Sequence, residues 1–154
     1  MTINSISLVL HILSAVVWVG GMLFAHMFLR PVAAAQLEPP VRLPLWVGVF
    51  KRFFPFVWLY IMFLPLTGYL MIFSIWGSMG NAPLYVHIMN GLGIVMILLY
   101  LHVYFAPFKR LKNAVIKQDW QEGGRNLNII RKMVGINMTI GVVGIIIASA
   151  GRMF

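Results

Sequence analysis

Cysteine is absent from this chain of 154 residues, which excludes disulfides, thiolate metal sites and cysteine nucleophiles. Acid is scarce: Glu38, Asp119 and Glu122 stand against twelve Lys and Arg. All three lie outside the long apolar stretches. No carboxylate is therefore available at membrane depth to relay a proton or orient a histidine. From Phe53 to Phe108 the chain carries no Asp, Glu, Lys or Arg at all. Glycine-rich phosphate-binding and dinucleotide-binding motifs are missing as well.

What is present is hydrocarbon. Hydrophobic residues make up 61% of the chain and charged residues 10%, too little polar surface for a soluble domain of this length. Four apolar stretches are long enough to span a bilayer as helices, about 20 residues each: 5–29, 53–76, 83–108 and 133–150. The expectation is an all-α, polytopic membrane protein, a four-transmembrane-helix bundle forming a single membrane domain over 1–154. The first ten residues contain no Lys or Arg, so the first stretch reads as a retained helix rather than a cleaved signal peptide.

The formal charge of +9 points to topology, not to nucleic acid. Arg30, Arg42, Lys51 and Arg52 follow the first span. Lys109, Arg110, Lys112, Lys117, Arg125, Arg131 and Lys132 follow the third, and only Arg152 stands apart. The positive-inside rule places both loops in the cytoplasm and the N and C termini outside, as in a multi-pass protein of a bacterial inner (cytoplasmic) membrane. Residues 78–83, SMGNAP, read as a tight outer turn. AAAQLEPPVRLP reads as an irregular connector, and 43–51 as an interfacial stretch. Residues 109–122 read as an amphipathic cytoplasmic segment closed by Gly123 and Gly124, its cations set against lipid headgroups.

All four histidines lie inside apolar stretches: His11 and His26 in the first, His87 and His102 in the third. The interval is 15 residues in both cases. At 100° per residue each pair lies about 60° apart around its helix and about 22 Å apart along it. The first and third spans run parallel, so His11 and His87 share the outer half of the bilayer and His26 and His102 the inner half. If the two faces meet, they form two stacked His–His pairs, each able to supply both axial ligands of a haem iron. Gly20 and Gly21 lie between the first pair and Gly91 and Gly93 between the second, leaving room for a flat macrocycle. Inner propionates would find Arg30 or Lys109, and outer ones Arg152. Trp18 reads as aromatic core filler. The bland alternative for each histidine is a buried polar residue bonded to a neighbour. Copper accepts the same imidazoles and the eleven methionines, although the methionines follow no period and suit packing equally well.

LHILSAVVWVGGMLFAHMFLRPVAA, with its histidine, Trp-x-Gly-Gly and proline, resembles the first helix of CopD-domain membrane proteins. The start is similar in HemJ-type protoporphyrinogen oxidases, and YVHIMNGLGIVMILLYLHVYFAPFKRLKNAV resembles their histidine-bearing third helix. The CopD resemblance implies copper uptake or resistance. The HemJ resemblance implies haem and oxidation of protoporphyrinogen, with His11 in the place of the first-helix histidine. This chain departs from that pattern, since Met89 and Asn90 stand where a lysine is expected. The reading that combines these features is a membrane b-type cytochrome with two haem b groups per chain. One is held by His11 and His87 and the other by His26 and His102, passing electrons across the bilayer to or from quinone or a redox partner protein. An oxidoreductase role and a homo-oligomer are compatible with it. A CopD-like copper protein and a HemJ-like oxidase are the alternatives.

Overall fold

The structure is a computed structural model and describes residues 3–151. Helix α1, Ile3–Leu23, continues through a π-helical segment, Phe24–Leu29, into α2, Arg30–Gln36. Then come α3, Pro39–Trp76, a 3₁₀ turn at Met79–Asn81, α4, Leu84–Phe105, α5, Pro107–Ile116, and α6, Trp120–Ala150. Four rods are long and apolar enough to cross a membrane: Ile3–Gln36, Pro39–Trp76, Leu84–Ile116 and Trp120–Ala150. Their outer faces carry large exposed apolar residues such as Val16, Phe28, Met62, Leu98 and Ile146. This is the surface that lipid covers, so the protein is a multi-pass membrane bundle.

The rods run further than the apolar stretches that announce them. Helix α3 starts at Pro39 rather than Phe53, and its 38 residues reach about 57 Å, against about 30 Å of hydrocarbon. Only Leu37 and Glu38 interrupt the helix where an irregular connector was expected. The Pro39–Pro40 pair explains this, because proline fits the first helical turn, where its missing N–H has no partner to lose. Helix α6 starts at Trp120 rather than residue 133. The Asp119 side chain caps it by accepting from the Glu122 backbone N–H at 3.0 Å. Gly123 and Gly124 therefore lie inside α6 and do not close the amphipathic segment. A Cβ on Gly123 would fall 2.9 Å from Leu43 Cδ1, so this glycine lets α6 cross α3 closely. The reversal is made instead by Gln118, at φ 55°.

At Ala106 the third rod bends, with φ −111° and ψ −86°, as the residue before Pro107 is pushed out of the helical region. Helix α5 then lies amphipathically across the bundle end. It buries Phe108, Leu111 and Ala114 and turns Lys109 and Arg110 outward. Gly77 closes α3 at φ 74°, the left-handed position that favours glycine. All eleven cations among the described residues gather at one end of the bundle, as the loop assignment requires.

Helices α1 and α3 pack antiparallel in one register. Asn4 donates to the Ser74 hydroxyl at 2.9 Å, and seven residues on, His11 meets Thr67 at 2.9 Å. Towards the basic end an aromatic cluster of Phe50, Phe54, Trp58, Tyr100, Tyr104 and Phe108 fills the interior. The Tyr100 hydroxyl donates to the Phe54 carbonyl at 3.2 Å. Trp18 is buried core filler, edge-on to Tyr100 with centroids 6.4 Å apart. Helix α4 packs on α6, while α1 packs on α3 and α6. The two histidine-bearing rods α1 and α4 thus share no broad face.

Candidate functional site

His11 is held by α3. The Thr67 hydroxyl lies 2.5 Å from the Phe63 carbonyl, a distance that commits the hydroxyl proton to that oxygen. With its proton so placed, the same oxygen accepts from the His11 ring, 2.9 Å away at Nδ1, in the tautomer that carries the ring proton there. The neutral ring then keeps its lone pair on Nε2. A polar residue one helix away thus favours this tautomer, as outer-sphere partners do for ligating histidines. Gly68 makes room for the ring, since a Cβ there would stand 3.3 Å from His11 Cε1.

His26 faces α6 instead. A Cβ on Gly135 would stand 3.0 Å from His26 Cε1, so the imidazole occupies the space that glycine leaves. It lines a cleft of about 250 Å³ at the basic end, together with Arg30, Arg42, Trp46, Phe50 and Arg131. The π-helical segment carries His26, and its wider turn shifts everything after Leu23 around the axis relative to a regular α-helix. His11 thus meets α3, at Thr67 and Gly68, while His26 meets α6, at Gly135.

His87 and His102 lie on the exposed side of α4, in a stripe with Gly91, Ile94 and Leu98. Neither His11 with His87 nor His26 with His102 is brought together within the chain. Gly20, Gly91 and Gly93 meet nothing within 4 Å of a would-be Cβ, whereas Gly21 packs against the Phe53 ring. Arg152 lies outside the described residues. Among the described residues, no three His, Asp or Glu side chains converge as a metal site would require.

Sequence reasoning missed Thr67, Arg42, Arg131 and Asn137. Thr67 had a signal: it is a hydroxyl, with Ser74 one of two aliphatic ones, in the 53–76 stretch that carries neither charge nor histidine. Arg42 and Arg131 were read as topology alone. Asn137 is buried between α4 and α6 and donates to the Met96 carbonyl at 3.2 Å, while its Oδ1 finds no partner.

A membrane four-helix bundle with histidines in its spans defines a class, and the comparisons narrow it. The family described as CopD, Copper resistance protein D, matches residues 47–150, more than half of the chain. The chain belongs to the CopD family. The matched part begins within α3, so the first-helix motif that suggested the resemblance lies before it, and nothing in the match extends to HemJ-type oxidases or to haem. No curated protein and no solved structure matches the chain.

Proposed function

We propose that this chain handles copper within the membrane, taking Cu(I) as cargo on the Nε2 atom of His11. The observation that carries this reading is the 2.9 Å contact of His11 Nδ1 with Thr67 Oγ1, which in the tautomer protonated at Nδ1 leaves the Nε2 lone pair for a metal. Cu(I) is soft and takes imidazole and thioether ligands. Met71 stands one turn further along α3 than Thr67, facing Ser7 in the register set by Asn4–Ser74 and His11–Thr67. It is the soft donor that would join His11. The family description, copper resistance, favours the same metal.

With the basic loops on the cytoplasmic side of a bacterial inner membrane, His11 sits in the outer half, where metal arriving from outside meets it first. Titration of purified protein with Cu(I) against a chromogenic chelator tests this. Binding that disappears in His11→Ala supports it, and unchanged binding overturns it.

Haem is the second reading, and one observation favours it. His87 and His102 sit on the exposed face of α4, where a symmetric second copy of the chain would set like imidazoles at equal depth. A pyridine haemochrome assay on the purified protein separates the two readings.

A further inference from the structure

We propose that the cleft around His26 is a binding site for an oxyanion on an apolar body, the phosphate of an anionic phospholipid, separate from the copper site at His11. Three guanidinium groups, those of Arg30, Arg42 and Arg131, line one cleft with the His26 imidazole. Arg30 and Arg131 both lie close enough for their charges to act on that ring. No carboxylate offsets them: among the described residues the single ion pair joins Arg125 to Glu122, 2.5 Å apart on the surface.

Arg42 is braced from behind, its Nη1 donating to the Ala34 and Leu37 carbonyls at 3.3 and 3.4 Å. Those bonds orient the guanidinium without neutralising it. Three like charges around one space repel one another unless an anion lies between them. Guanidinium groups offer paired N–H donors that match phosphate oxygens.

The remaining walls choose the kind of anion. Trp46 and Phe50 line the depth of the cleft, and both are buried in the aromatic core. The cleft lies at the end of the spans where headgroups lie, and basic pockets between membrane helices on that side take anionic headgroups. A small hydrophilic anion would leave the aromatic wall unused, whereas a phosphate with acyl chains satisfies both halves.

The test is native mass spectrometry of the full chain in neutral detergent, titrated with short-chain phosphatidylglycerol. Short-chain phosphatidylcholine and inorganic phosphate are the two comparison probes. The wild type should bind phosphatidylglycerol more tightly than phosphatidylcholine, with inorganic phosphate a weak competitor. The Arg30→Gln, Arg131→Gln double variant should lose roughly thirtyfold in phosphatidylglycerol affinity. Arg125→Gln, which removes an already paired surface cation, should lose little.

Equal binding of the two lipids, an unchanged double variant, or an equal loss in Arg125→Gln would each overturn the site. Inorganic phosphate binding as tightly as the lipid would reassign the source to a free anion and overturn the lipid. If the double variant does not fold, Arg42→Gln must show the weakening in its place. These outcomes leave Cu(I) binding at His11 untouched.

Discussion

His11 on the first rod and Thr67 on the second are locked in one hydrogen bond of 2.9 Å, Nδ1 to Oγ1. That contact favours the tautomer whose Nε2 lone pair is open to a ligand.

Replacing Thr67 with valine keeps the volume and removes the acceptor. The ring can then flip or change tautomer. The expected result is a 10- to 100-fold loss of Cu(I) affinity, the usual scale for outer-sphere partners. Thr67→Ser should restore most of it. Chelator competition on both variants is the measurement.

Glycine positions should separate sharply into two kinds. A Cβ on Gly141 would stand 2.6 Å from Val19 Cγ2 and 3.1 Å from Met96 Cε, so Gly141→Ala must push α6 away from α1 and α4. The expected cost is about 1–3 kcal/mol, read as a lower unfolding temperature in detergent. Gly20→Ala, in open space, should leave that temperature unchanged.

Asp119 caps α6 through its bond to the Glu122 N–H. Asp119→Ala should cost about 1 kcal/mol and fray the first turn. Faster backbone amide exchange at Gln121–Gly123, with the membrane spans unaffected, is the expected signature.

Tyr100→Phe removes the buried bond from the Tyr100 hydroxyl to the Phe54 carbonyl and keeps the ring packing. A loss of about 1 kcal/mol is expected in the same unfolding assay. Tyr100→Ala should cost about 3–5 kcal/mol, because the cluster of Trp18, Phe54 and Trp58 collapses onto a void.

The four spans were legible because hydrocarbon contact leaves a direct mark on composition, and the basic end was legible from Arg30 to Lys132. Helix ends were not. Hydropathy marks where lipid begins, while Pro39 and Asp119 set where the helices start, well outside it. The histidine geometry was also hidden. Spacing arithmetic places His11 and His26 around one helix but does not say that one meets α3 and the other α6. Matched intervals on α1 and α4 likewise say nothing about which helices become neighbours. Packing through Gly123, Gly135 and Gly141 settles that, and its partners lie far away in sequence. The cationic cleft is the reverse case. Its arginines were plain to see, but only the fold shows Arg30, Arg42 and Arg131 converging on one space.

The most direct test is anaerobic Cu(I) competition titration of the wild type beside His11→Ala, with an absorption spectrum of each as purified. The account predicts stoichiometric Cu(I) binding by a colourless wild type and its loss in His11→Ala. A Soret band with haem bound to the purified chain, or equal Cu(I) affinity in both proteins, would contradict it.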